Sequence, residues 1–400
     1  MFLNFFTIVL FLSVLFSEIS EGYTIFTPYQ PGDIGTSTYL LNTNGDIVNV
    51  WYHANNPASM PYLRPDSSIV YPYIIDNPSM SAGGVGGGIQ IISWAGNVIW
   101  DYQVSNSNYQ HHHDIQPMPN GNILVIAWER RSADEAFSLG REEINNPINE
   151  MWSEAILEIE PISNDSANIV WEWHLWDHLV QDVNDSLSNF GIISQHPELF
   201  NINQGNVGSP FTSNADWFHI NSIDYNEILD QIVFSSRSHD EIFIIDHSTT
   251  TQEAASHSGG NCGKGGDFLY RWGNPQNYSR GFEEDKKIDD QHSINWIDSN
   301  FPGDGNLILF NNFYNESISA VFEWEPPLNE DGCYDIFNNE PYGPDELIWI
   351  HTESYHSDRQ GGAFRLDNGN TLITDANSVR IIEVNFLGQI EWQYYFEGNS

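Results

Sequence analysis

Basic residues are scarce in this 400-residue chain: 13 Lys and Arg stand against 55 Asp and Glu, a formal net charge of −42. Nucleic-acid binding rests on basic patches that displace counterions from phosphates, so nucleic acid is excluded as a partner class. An anionic membrane surface is disfavoured by the same repulsion. A charge of this size keeps the chain soluble while its self-repulsion opposes compaction, and saline surroundings would screen that repulsion. Cysteine is nearly absent, with only Cys262 and Cys333 present. Two cysteines cannot build a Cys-rich zinc site. They form either one disulfide, as an exported protein allows, or two separate thiols. Long apolar runs are missing after the first residues. Phe5 to Phe16 is almost wholly apolar but too short to span a bilayer, and the small Ser20 and Gly22 follow. The expectation is an export signal over residues 1–22, removed before Tyr23, which leaves one domain over 23–400, periplasmic or secreted and free of the membrane.

Helical periodicity is also lacking. Aromatic residues are plentiful instead, at 14% of the chain with 14 Trp, which excludes a disordered protein. Short β-type runs recur, punctuated by Gly, Asn, Asp and Pro. Six of them read as outer hairpins. The first three are Thr38 to Trp51, Gly88 to Trp100 and Ala155 to Trp173. The fourth is Glu241 to Thr250, with an insert before Phe268 to Trp272. The fifth is Ala320 to Pro327, returning at Glu346 to Ile350, and the sixth is Arg380 to Trp392. Several follow an Asn-Gly-Asn or Asp-Gly-Asn run: NGNILVIAW from Asn120, DGNLILFNN from Asp304 and NGNTLITDA from Asn368, with LDQIVFSSR from Leu229 as a variant. Such a turn suits a tight hairpin because both of its central residues tolerate positive φ. Each full unit is then two inner and two outer strands. Repeated around an axis, this predicts an all-β fold, a six-bladed β-propeller with four-stranded blades. The hairpin at Thr38 lacks a preceding Asn-Gly unit, so its blade is expected to borrow strands from elsewhere and close the ring. The Trp ending each hairpin is read as packing between blades.

The histidines fall in register with this repeat. His113, His219 and His292 each open an innermost strand, upstream of the Asn120, Leu229 and Asp304 runs. Innermost strands line the central channel, so the three should converge on one pocket. Gly361 stands at the same place in the last repeat and would leave room for a ligand. Arg237 follows the second inner strand of the His219 unit, where a rare cation is read as an anion binder. Strand alternation puts Asn221 on the side of His219 and turns His112 away from the pocket unless the backbone bends. His174 and His178 read as an outer, solvent-facing loop. Three imidazoles could hold zinc, copper or iron, although the arginine opposes a cation. The other chemistry is transfer of an anionic group: the arginine holds the anionic oxygens, one histidine attacks and another protonates the leaving group.

HHDIQPMPNGNILVIAWE, DWFHINSIDYNEILDQIVFSSRSHDEIFIIDHSTT, GGDFLYRWGNPQNY and DQHSINWI together resemble the bacterial aryl-sulfate sulfotransferases, or arylsulfotransferases, from about Gly88 to Trp392. The resemblance implies an exported propeller that moves a sulfuryl group from a phenolic sulfate ester to a phenol through a sulfated histidine. No cofactor, metal or nucleotide sulfate donor is implied. The family's nucleophile matches His292, its supporting histidines match His113 and His219, and its sulfate-binding arginine matches Arg237. Asn221 matches a polar residue of the same pocket. With Arg237 and His112, Asn221 completes the expected substrate-binding set, and an aromatic-rich channel would stack the phenyl ring. The expected partners are thus a small phenolic sulfate and a phenol. The rival expectation is a propeller without catalysis that binds an anionic or sulfated ligand.

Overall fold

The computed structural model describes residues 19–29, 35–337, 339–353 and 355–396. Most of the expected export signal therefore lies outside the described residues. Of its end, Ser20 bonds to the last blade, with its amide donating to Glu383 Oε1 and its hydroxyl to Asp367 Oδ1, each at 2.8 Å. No helix among the described residues is long and apolar enough to cross a membrane.

The chain folds as the six-bladed β-propeller that its repeat predicts. Five antiparallel sheets of four strands follow one another, spanning Tyr62–Gln103, Tyr109–His174, Ile220–Trp272, His292–Thr352 and Gly362–Tyr395. These are blades 2 to 6. Blade 1 differs from expectation. Its strands Thr36–Asn42 and Ile47–His53 pair with the chain's own Tyr23–Phe26, a three-stranded sheet among the described residues, and no strand is borrowed. The ring closes through aromatic contact instead. Phe26 and Tyr39 of blade 1 meet Tyr394 and Phe396 at centroid separations of 5.4 to 5.8 Å.

The Asn-Gly turns repeat because each is pinned to its own blade. The second Asn of the turn donates to a glutamate on the third strand: Asn122 to Glu158, Asn306 to Glu323 and Asn370 to Glu383. The hairpin tryptophans pin blade to blade. Trp51 Nε1 donates to Ser93 O, Trp100 to Ser166 O, Trp173 to Gly266 O, Trp272 to Pro344 O and Trp349 to Phe386 O, at 2.7 to 3.0 Å. Each ring fills the wedge between sheets while its one donor is satisfied on the next blade. Cys262 and Cys333, left open by the sequence, are joined in a disulfide. It ties the insert of blade 4 to that of blade 5.

Near the axis the inner strands are stitched by polar side chains. Asp114 accepts from Ile223 N, Ser222 Oγ from Ile294 N and Asp224 from Trp296 N, while Asn295 donates to Ala363 O. Buried backbone groups at the narrow end of each blade are thereby paired. These bonds fix the innermost strands of blades 3 to 6, where the predicted site residues lie.

Candidate active site

His113, His219 and His292 sit where three inner strands are interrupted. The strand ladders shift register between His111 and Ile115, between Ile220 and Ser222, and between His292 and Asn295. The backbone takes positive φ at His113 (49°), His219 (60°) and Ser293 (57°). Bulges re-aim side chains, which is how successive residues here escape strict alternation. His292 lies one residue ahead of its kink, so its place is not identical to that of the other two. The rings nevertheless converge. Those of His113 and His219 meet edge to face at 4.6 Å, and His292 lies within electrostatic reach of both.

His292 is held by its Nδ1. That nitrogen lies 3.0 Å from the Asp290 carbonyl and 2.8 Å from Asn312 Oδ1, both acceptors. Nδ1 therefore carries the proton, and Nε2 keeps its lone pair, with no hydrogen-bond partner among the described residues. Burial lowers the ring's pKa to about 4, aided by Arg237, against opposing bonds to Asn312 and Asp290. At neutral pH His292 is an uncharged imidazole with its free nitrogen fixed in direction. Asn312 is itself anchored by donating to Ser357 O and Gln360 O. Gln291, just before His292, is clamped to Ser235 Oγ and Ser236 O.

Arg237 pairs with Asp290, and its side chain is 33% exposed. Asp290 thus faces both ways: its carboxylate holds the arginine and its carbonyl orients His292. Asn221 is buried. Its amide donates to Gln291 O at 2.6 Å, across the blade seam, while its Oδ1 has no partner among the described residues. His219 Nδ1 bonds to Asp216 Oδ2, and Asp216 Oδ1 accepts from Trp128 Nε1 at 3.0 Å.

Three expectations need correction. His112 points away from the pocket, as strand alternation predicts, and so does not join the expected substrate-binding set. It is fully buried behind His113, with Nε2 2.9 Å from Glu154 Oε2 and Nδ1 2.8 Å from His113 Nδ1. Both its nitrogens are occupied, so it serves His113 rather than a substrate. Gly361 is small for another reason: at φ +100°, an added Cβ would lie 2.7 Å from the Phe310 ring. His178 is fully buried between Asp267 and the Ala254 carbonyl, and His174 packs beside Glu129, so neither lies in a solvent-facing loop. Trp128 stacks on His112 at 4.2 Å and is fully buried.

Other parts of the site were not legible as such. Glu154 is fully buried on the third strand of blade 3 and carries no motif. Asp216 stands in the DWFH run and Asn312 ends the Asp304 repeat, but nothing in sequence told that they face histidines. The AGGVGGG run at Ala82 to Gly88 covers the site. The Gly84 carbonyl accepts from His113 N, and a Cβ on Gly84 would fall 2.0 Å from the His113 ring. That run is a glycine signal that sequence reading passed over.

Among the described residues two groups of side chains could gather on a metal ion, His178–His257–Asp267 and Asp240–Asp289–Asp290. Neither includes the three pocket histidines. Lys286 and Arg237 already neutralise the second. The chemistry the pocket offers is a neutral nucleophilic nitrogen, a guanidinium and two further histidines backed by carboxylates.

The family model for Arylsulfotransferase (ASST) matches residues 19–326. The chain belongs to the arylsulfotransferase family. That span covers the inner strands carrying His113, His219, Arg237 and His292, so the matched region is the one that builds the pocket. No curated protein matches the sequence. Among solved structures the chain is similar to a protein of unknown function from Bacteroides caccae, at 11% identity and TM-score 0.46, covering 93% of each chain. It is also similar to the periplasmic gluconolactonase PpgL of Pseudomonas aeruginosa, at 12% identity and TM-score 0.45, covering 94% of this chain and 84% of that one. At that level of similarity neither bears on the chemistry of this arylsulfotransferase family member.

Proposed function

We propose that this arylsulfotransferase moves a sulfuryl group from a phenolic sulfate ester to an acceptor phenol through a sulfohistidine at His292, without a nucleotide sulfate donor. One observation carries the reading: the Nδ1–H of His292 is held by two acceptors, which leaves a neutral, directed Nε2 beside Arg237. In the first half-reaction the Nε2 lone pair attacks sulfur and the bond from sulfur to the aryl oxygen breaks. Arg237 leaves Asp290 to hold the sulfuryl oxygens, and a pocket histidine, His113 or His219, protonates the departing phenolate. In the second, the acceptor phenol oxygen attacks sulfur, the N–S bond breaks and the phenol proton returns to that histidine. Sulfuryl transfer resembles phosphoryl transfer in asking mainly for alignment and charge stabilisation, and the pocket supplies both. A periplasmic or secreted location is part of the proposal, supported by the disulfide and the apolar N-terminal run.

The test is mass spectrometry after brief exposure to 4-nitrophenyl sulfate without acceptor, alongside His292→Ala. The expected result is one sulfuryl group on the wild type, absent from the variant and discharged by phenol. Wild-type protein that stays unmodified and releases no nitrophenol would refute it and favour a propeller that only binds sulfated ligands.

A further inference from the structure

We infer that Glu154, His112 and His113 form a proton relay, with Glu154 as the buried proton store behind the acid–base histidine of the pocket. The inference rests on the sulfotransferase reading for its substrate, and on geometry for everything else. Three groups stand in a line. Glu154 Oε2 is 2.9 Å from His112 Nε2, and His112 Nδ1 is 2.8 Å from His113 Nδ1. His113 Nε2 ends the line with no hydrogen-bond partner among the described residues. Glu154 and His112 are fully buried, and Trp128 stacked on His112 keeps water from the middle of the line. The second oxygen of Glu154 accepts from Ile220 N at 3.0 Å, the residue after His219. One carboxyl group therefore backs both supporting histidines: it is in line with His113 and fixes the backbone that carries His219.

The hydrogen bonds allow two consistent arrangements. In one, Glu154 is protonated and donates to His112 Nε2, His112 Nδ1–H donates to His113 Nδ1, and His113 presents Nε2–H to the pocket. In the other, Glu154 is a carboxylate accepting from His112 Nε2–H, His112 Nδ1 accepts from His113 Nδ1–H, and His113 presents a bare Nε2. They differ by one proton in the pocket. When His113 Nε2–H protonates a departing phenolate, His113 regains a proton at Nδ1 from His112. His112 regains one at Nε2 from Glu154, which is left as a carboxylate. An acceptor phenol that gives its proton to His113 Nε2 runs the three transfers backwards. No imidazolium is needed at either stage. Burial places the protonated-glutamate arrangement first: it holds Glu154 well above the usual carboxylate range, and His112 and His113 well below the usual imidazole range. The titratable groups facing the line are His219, His292, His111 and Asp216.

Glu154→Gln tests the relay. The glutamine amide donates to His112 Nε2 and its oxygen accepts from Ile220 N, so the resting bonds survive, but the amide cannot surrender a proton. The loss of single-turnover rate should grow as the leaving phenol becomes less acidic. It should be small for 4-nitrophenyl sulfate and on the order of 10²-fold or more for phenyl sulfate, the usual worth of general acid catalysis. Equal loss for both donors, or none for either, would overturn the relay. A second measurement needs no activity: nitrogen-15 spectra of the histidines in the unliganded wild type at neutral pH. The relay requires protons on His112 Nδ1 and His113 Nε2, and an imidazolium at either or the opposite tautomers would refute it. A wild type that never becomes sulfated would sink the sulfotransferase reading and leave this spectrum to decide the relay.

Discussion

In the unliganded protein Arg237 already has an anion, the carboxylate of Asp290. A sulfate ester must take its place, and Asp290 then stays nearby as a like charge. Two unit charges about 6 Å apart at an effective dielectric of about 20 repel by about 3 kcal/mol. The Asp290 and Arg237 side chains are 25% and 33% exposed, and solvent screening at such partly exposed sites reduces the repulsion to about 1–2 kcal/mol. Asp290→Asn should therefore tighten sulfate binding roughly five- to thirty-fold. The substitution is structurally mild. Asp290 has φ 54°, which asparagine tolerates well, and the carbonyl that accepts from His292 is kept. The assay is calorimetric titration with sodium sulfate at constant ionic strength, repeated as competitive inhibition of 4-nitrophenyl sulfate turnover. pH gives a second reading. Burial raises the Asp290 pKa, against the lowering effect of Arg237. As pH falls through that titration the wild-type carboxyl is neutralised, so its sulfate affinity should climb towards that of the variant, which lacks this component. Sulfate that binds Asp290→Asn no tighter, or more weakly, would refute the displacement and make Asp290 a necessary support of the arginine.

Three other outcomes are expected. The nucleophile is the neutral form of His292, whose pKa burial lowers from 6.5 to about 4, so single-turnover nitrophenol release should hold level down to about pH 5 and fall only below it; an acid limb near the ordinary histidine value would contradict the buried, neutral imidazole. Gly84→Ala should abolish turnover, because the new Cβ would meet the His113 ring at 2.0 Å. Gly121→Ala is its control: it bears similar backbone strain at φ +92° with nothing within 4 Å, and should lose about 1–3 kcal/mol of stability while remaining active. The disulfide closes a loop with a sequence separation of 71, so replacing both cysteines by serine should lower the unfolding free energy by about 4 kcal/mol in denaturant titration. A change under about 1 kcal/mol would mean that the unfolded chain is already constrained there.

The sequence determined the architecture because a propeller is periodic. Trp at the hairpin ends and Asn-Gly or Asp-Gly at three inner turns recur since blade after blade meets its neighbour in the same way, and the structure gives most of these residues an equivalent hydrogen bond. The same register singled out His113, His219, Arg237 and His292, for a repeat fixes which strand lies innermost. What only the tertiary structure decided is how those side chains are aimed and what stands behind them. Alternation turned His112 from the pocket, but only the folded ring places it buried behind His113 with Glu154 on its other nitrogen. Blade 1 completes itself with Tyr23–Phe26, a strand too short and irregular to be read in advance. Glu154, Asp216, Asn312 and Asp290 became legible as partners only once the ring was closed. Glu154 and Asn312 reach their histidines from 42 and 20 residues away along the chain, while Asp216 and Asp290 stand within three residues of theirs but are aimed at them only by the loop conformation of the folded ring.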